Sequence, residues 1–424
     1  MWWELPTTFN TFEFNTLKLV IFCMKAPIKK KKFDKDPAAE LAALKEKLGL
    51  KFSETHMVVS SAEKKQEFIP MPEAFVEALK LPGIPQGVTT IIHGHSNTGK
   101  SLLKNCLIAS AQRMGILPVI YETESNFSFP FAIACGMRAT PIYGDVDVEE
   151  VDEQTGEITI KTENQIVDCD GPFLYYDNAI LADRYGNYDY AQGKEISKKR
   201  TLPVIEDIAR SMNELLDLQE EGAINQPLLF IWDSVGSIPS FRSFSSKSNN
   251  AMWDAGALST AFNILLNNRI PSSKKVSSPY TNTFVAVNKV WLDSMSAPMG
   301  PPSIKMKGGN ALLYSSRLTI LLGGKLSAAT KKLTAEFKGE KYTYGLTTKI
   351  AVEKNQLDAP YTITYAGTIH CVPDGMVADS KLNDYKKENI SSIAKQLVSQ
   401  MKDKGKEVEI KEEDIVFSEE EYDD

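Results

Sequence analysis

Gly94-His95-Ser96-Asn97-Thr98-Gly99-Lys100-Ser101 is the stretch that decides the fold. Two glycines separated by four residues, then lysine and serine, make the phosphate-binding pattern G-x4-G-K-S. That pattern requires a strand before it and a helix after it. Val88–His93 reads as the strand, and Lys100–Met114 reads as the helix. Glycine lets the backbone wrap phosphate oxygens closely, and the unpaired amides of a helix start face negative charge. The eight residues Gly94, His95, Ser96, Asn97, Thr98, Gly99, Lys100 and Ser101 are therefore the expected nucleotide contacts. Lys100 would reach the β- and γ-phosphates, and the Ser101 hydroxyl would ligate Mg2+. ATP and Mg2+ are the implied cofactors.

Working outward, Leu117–Tyr121, Leu228–Trp232, Phe284–Val287, Arg317–Leu322 and Lys349–Val352 read as apolar strands. Ser211–Glu220 and Ala255–Asn267 read as helices between them. This alternation predicts an α/β fold: a P-loop NTPase core over residues 70–372, with a mostly parallel central sheet flanked by helices. Strands as apolar as Leu228–Trp232 are buried on both faces. The rhythm breaks at about 139–202, which reads as an insertion carrying a hairpin over Val151–Ile160 with its turn at Thr155-Gly156.

Residues 1–33 read as a flexible basic leader that includes Lys29–Lys32, and Met24 is a second candidate start. Residues 34–69 read as a small helical oligomerisation element. Asp36 caps a helix through Ala38–Leu48, whose Leu41, Leu44 and Leu48 stripe packs on its own core or on a neighbouring subunit. Residues 373–405 form a short helical segment, with a helix near Ile390–Lys402. Residues 406–424 read as a solvated acidic tail ending in Glu419–Asp424.

The 424 residues carry a net charge of -7, which argues against a protein that coats nucleic acid with its whole surface but leaves room for a basic channel. Cys23, Cys106, Cys135, Cys169 and Cys371 have no pair spacing and read as reduced thiols in a cytosolic compartment. No apolar run reaches membrane-spanning length, so no membrane partner is expected. His93 and His95 flank the loop, but no second cluster completes a zinc site around them.

Two strand ends carry acids. Asp233 closes the strand Leu228–Trp232, where a carboxylate faces the ligand crevice of a parallel sheet and can hold Mg2+ through water. Glu122-Thr123-Glu124 closes Leu117–Tyr121. A carboxylate there serves either as general base toward an attacking water or simply as an exposed strand-end acid.

Taken in order, these segments resemble the RecA family of homologous recombinases. Gly83-Ile-Pro-Gln-Gly87 is similar to that family's approach to its loop. Tyr121-Glu-Thr-Glu124 with Phe127, Phe131 and Gly136 has the spacing of the segment with its catalytic Glu and adenine-stacking aromatic. Ile231-Trp-Asp-Ser-Val235 resembles its acidic strand end. Gly308-Gly-Asn-Ala-Leu312 is a near-verbatim match to the motif after its second DNA loop, and Val352-Glu-Lys-Asn-Gln-Leu-Asp-Ala-Pro-Tyr361 to the strand whose lysines reach the neighbouring subunit's ATP.

The resemblance implies that Glu124 is the base, Phe131 the adenine platform, Asn288 a γ-phosphate sensor and Lys354 the cross-subunit cation, alongside Lys100. Lys289 stands where the family has Gln, and Gln356 replaces the second lysine. It implies two structureless DNA loops. The first spans Ser237–Trp253 with Arg242, Lys247 and Met252. The second spans Val290–Lys307 with Trp291, Met295, Met299, Lys305 and Lys307, and runs into Gly308, Gly309 and Asn310. It further implies a homo-oligomeric filament on single-stranded and double-stranded DNA that promotes strand exchange in the cytoplasm. The departures suggest a divergent member of the kind encoded by bacteriophages, acting in the host cytoplasm. Two other readings share the loop and the acids: a hexameric helicase of the same fold, and an ATP-driven assembly switch without DNA.

Overall fold

β1 (Thr89–Gly94) is buried along its whole length at the middle of a twelve-stranded sheet. The computed structural model describes residues 63–151, 158–248, 250–293, 303–306, 309–337, 339–362, 364–403 and 412–421. The leader, the helix read over 38–48, the turn at Thr155-Gly156, the last residues 422–424, Met295, Met299, Lys307 and Gly308 lie outside the described residues.

After β1 come α1 (Lys100–Arg113), β2 (Leu117–Glu122), α2 (Phe129–Ala134), β3 (Leu174–Asp177), α3 (Ile205–Glu220) and β4 (Leu228–Asp233). They are followed by α4 (Phe241–Ser245), α5 (Ala251–Ala261), β5 (Thr283–Asp293), α6 (Gly309–Ser315) and β6 (Ser316–Leu322). The chain closes with β7 (Lys331–Phe337), β8 (Glu340–Asn355), β9 (Ala366–Val372), β10 (Gly375–Ala378), α7 (Ile390–Asp403) and β11 (Val416–Glu421). The sheet order is β10-β9-β8-β6-β1-β5-β4-β2-β3, with β7 on β8 and β11 on β7. Every pairing from β6 through to β3 is parallel, whereas β8, β9 and β10 join antiparallel.

Alternation along each strand sends successive side chains to opposite faces. Ile92, Ile231, Val285 and Ile320 meet Leu103 and Leu107 of α1 in one core layer. Ile91, Phe230, Trp232 and Phe284 meet Met212 and Leu216 of α3 in the other, where Trp232 stacks on Phe262. Both faces of β4 are thus covered, as its unbroken apolar run requires.

The two segments read as structureless loops are ordered in part. Ser240 accepts a hydrogen bond from the Ser243 amide (3.2 Å) and Asn250 from the Met252 amide (3.0 Å), so each caps a helix, α4 and α5, inside 237–253. In the second segment Val290–Asp293 pairs antiparallel with Ser303–Met306, a β-ribbon consistent with Val290, Trp291, Leu292 and Ile304. Within the segment read as an insertion, Thr140–Val151 pairs with Ile158–Asp170 in a longer hairpin than expected. β3 from the same segment pairs parallel with β2, so it is an edge strand of the main sheet.

The acidic tail also differs from its reading. Lys331–Glu336 of β7 pairs antiparallel with Val416–Glu421 of β11, while Ile415 is buried beside Leu333, Tyr344 and Leu397. Its charge hid a strand. Removing residues 414–424 should therefore lower stability by about 2–5 kcal/mol, the usual loss for one large buried aliphatic side chain. Urea unfolding of the full and shortened chains checks this; equal midpoints would restore the solvated-tail reading.

Candidate nucleotide site

The loop turns back from β1 because two of its glycines leave no room for a side chain. A Cβ on Gly94 would stand 2.2 Å from the Leu322 carbonyl oxygen. Gly99 has φ +89°, and a Cβ there would stand 2.6 Å from the Cys371 sulfur. Gly99 is the N-cap of α1 and offers no side chain to the first-turn amides, which stay available to a ligand. Thr98 Oγ1 donates to the His95 carbonyl (2.9 Å) and ties the loop together.

Lys100 folds over the loop, donating to the carbonyls of Gly94 (3.0 Å) and His95. Burial pushes its ammonium down to about 8, with Lys289 adding to the effect and the charges of Asp233 and Glu124 opposing it. Ser96 to Ser101 form one wall of a cleft of about 640 Å3. Glu124, Asp233, Lys289 and, from α2, Phe131 also line it. Thr343, Gly345 and Leu346 of β8 with Cys371 and Val372 of β9 close the remaining side, a wall that the sequence reading missed.

Of the three carboxylates of the site, two share a buried lysine and the third does not. Lys104, one turn beyond Lys100 on α1, is 2% exposed, with its Nζ 2.5 Å from Asp233 Oδ2 and 3.1 Å from Glu122 Oε2. Burial disfavours the Lys104 charge, but the two carboxylates outweigh it and raise the ammonium above the usual lysine value. Glu122 is raised by burial, opposed by Lys104 and reinforced by Asp233. Glu122 is sealed from the cleft and accepts the Glu124 amide (3.1 Å). Glu124 lines the cleft. Its Oε2 pairs with Lys289 Nζ (2.7 Å) and its Oε1 accepts from Ser234 Oγ. Burial would raise this carboxyl, but the Lys289 and Ser234 hydrogen bonds and the charges of Lys289 and Lys100 prevail and hold it below its ordinary value.

These residues fit a metal–nucleotide pair better than a bare metal. No group of three His, Cys, Asp or Glu side chains among the described residues could hold an ion. Ser101 and Asp233 both line the cleft and offer it two oxygen donors. The rest of an octahedral Mg2+ shell has to come from phosphate oxygens and water.

Other expected residues lie elsewhere. Asn288 is buried opposite His93, while its neighbour Lys289 reaches the cleft. Lys354 does not line the cleft; its Nζ donates to the carbonyls of Leu313 (2.6 Å) and Tyr314 (3.3 Å) at the end of α6. Arg242 lies 4.5 Å over the Trp253 ring, Lys247 is exposed after α4, and Met252 is 81% exposed on α5. Lys305 is exposed on the ribbon opposite Trp291, and Gly309 and Asn310 open α6. Lys104 was missed because the polar residues of α1 are spread around the helix rather than gathered on one face, so its sequence does not mark which lysine is buried.

No protein-family model matches the chain. It is similar to Protein RecA of Roseiflexus sp. (strain RS-1), 30% identical over 123 residues, which cover 27% of this chain and 35% of the relative. With Protein RecA of Chloroflexus aurantiacus the identity is 31% over 126 residues, 30% of this chain and 35% of the relative. The chain thus spans 35% of the length of the curated relatives it matches. These likenesses support a RecA-like relationship for about a quarter of the chain, and the mixed α/β architecture with its large, mostly parallel sheet is consistent with a RecA-like core. No helix among the described residues is long and apolar enough to cross a membrane.

Proposed function

We propose that this chain is an ATP-dependent DNA recombinase that polymerises on single-stranded DNA and promotes homologous pairing and strand exchange. The observation that carries the reading is that Glu124 lines the same cleft as Ser96–Ser101, while Glu122 and Asp233 are tied to Lys104. Of the two carboxylates that line the cleft, Glu124 is the one Lys104 does not hold. The RecA likeness supports the choice of recombinase among loop-bearing ATPases.

In this reading the amides of α1 and Lys100 hold the β- and γ-phosphates, and Phe131 packs on adenine. Ser101 and, through water, Asp233 hold Mg2+, which when bound neutralises charge on the phosphates. Glu124 orients a water whose oxygen bonds to the γ-phosphorus as the bond to the bridging β,γ-oxygen breaks. ADP leaves with that oxygen, and the water's proton passes to Glu124 and then to solvent. Asn288 supports the strand end beside the loop. Lys354 lies outside its own cleft and is assigned to the nucleotide of the next subunit.

DNA meets the α4–α5 segment and the ribbon after β5. Arg242, Lys247, Lys305 and Lys307 neutralise phosphates, while Met252, Trp291, Met295 and Met299 offer apolar contacts to bases. Gly308, Gly309 and Asn310 set the approach to α6. The element over 34–69 links subunits, and the protein acts in the cytoplasm, as a divergent recombinase of the kind bacteriophages encode. Strand exchange between a circular single strand and its linear duplex tests the reading. The wild type should yield joint molecules with ATP, and Lys100→Ala should yield none; equal yields would refute it.

A further inference from the structure

Lys289 and Gly94 face each other in the register of β5 and β1, so Lys289 stands at the root of the phosphate loop. Its Nζ lies 2.7 Å from Glu124 Oε2, while Ser234 Oγ donates to the other carboxylate oxygen. Asn126 Nδ2 also donates to Oε2 (3.1 Å). Three of the carboxylate's roughly four lone-pair sites are therefore occupied, both on Oε2 and one on Oε1, which leaves the residue assigned as base little to offer its water.

The three lysines of the site are not equivalent. Lys104 is sealed between Glu122 and Asp233, and Lys100 is buried against loop carbonyls. Lys289 keeps 53% of its side chain exposed and lines the same cleft as the loop. An ammonium on a flexible four-carbon stem can exchange one anionic partner for another. A triphosphate seated on Ser96–Ser101 would bring a stronger anion than one carboxylate into its reach.

We propose that Lys289 is a positioning residue: it latches Glu124 while the cleft is empty, and a terminal phosphate draws it away and frees Glu124 for water. This rests on the ATPase reading above and adds its regulation. β5 runs on from Lys289 through Val290–Asp293, which pairs with Ser303–Met306 in the ribbon. The charged and polar groups facing Glu124 are Lys289 from β5, Lys100 from α1, Ser234 after β4 and Asn126 from its own loop, with Glu122 accepting its amide.

The test uses the full chain as Lys289→Met, Lys289→Arg, Glu124→Gln and wild type. ATP hydrolysis without DNA is followed from about pH 5 to 9, with binding of a fluorescent ATP analogue measured in parallel. Lys289→Met should raise DNA-independent turnover about two- to fivefold, the range for an ion pair with one exposed member. Loss of the ammonium raises the Glu124 carboxyl of the empty cleft, so the acid limb of the kcat/KM profile, which reports the free enzyme, should move to higher pH; Lys289→Arg should restore both. Turnover that is unchanged or lower in Lys289→Met, with an unmoved acid limb, overturns the latch while wild-type hydrolysis still depends on Glu124. A wild type that neither binds nor hydrolyses ATP overturns the ATPase reading itself, and the latch with it.

Discussion

Glu124→Gln should bind ATP as the wild type does and hydrolyse it about 10^2 to 10^4 times more slowly, the usual contribution of a general base. The amide keeps the shape of the side chain and its contact with Ser234, but it no longer accepts the water's proton. Glu122→Gln is the matched control. Glu122 is 0% exposed and engaged by Lys104, so its change should act on stability more than on chemistry. Fluorescent-nucleotide binding beside steady-state hydrolysis separates the two outcomes. A Glu124→Gln enzyme with wild-type turnover would move the base elsewhere, and Glu122 would be the next candidate.

The second large effect belongs to Lys104. Lys104→Met should destabilise the fold by about 3–5 kcal/mol, because it strands two buried carboxylates without their shared cation. The loss comes from uncompensated charge rather than lost volume, since methionine nearly fills the same space. Lys104→Met combined with Glu122→Gln should recover most of it, because one carboxylate is then neutral. Urea midpoints of wild type, single and double variants measure this. A double variant no better than the single one would assign the loss to packing, and Lys104 would be no counter-ion.

How far the residues disclosed these features depends on whether the signal was local. The loop at 94–101 was legible because the glycines, the lysine and the flanking strand and helix are contiguous. Asp233 was legible because it ends an apolar run, and Glu124 because it follows another by three residues. In sequence Glu122 and Glu124 look alike; in space Glu122 is sealed against Lys104 while Glu124 lines the cleft. Lys104 gave no local sign, because its partners are 18 and 129 residues away and meet it only through sheet order. The wall made by Thr343–Leu346 and Cys371–Val372 was hidden for the same reason.

Other differences came from charge and polarity masking a pattern. Ser240 and Asn250 are good helix caps, yet in a serine-rich stretch they read as loop. Ile415 and Phe417 alternate around Val416, but the glutamates beyond them gave the tail a solvated look. Lys289 was legible as a departure from the family; its pairing with Glu124 was not.

In the proposed reading ATP assembles this chain into a filament on DNA. Electron microscopy with single-stranded DNA and a slowly hydrolysed ATP analogue tests it most directly. Helical filaments should cover the DNA with the analogue and be absent without nucleotide. Closed rings would make the protein a helicase, and no DNA-dependent assembly would make it a nucleotide switch; either result would contradict the recombinase reading.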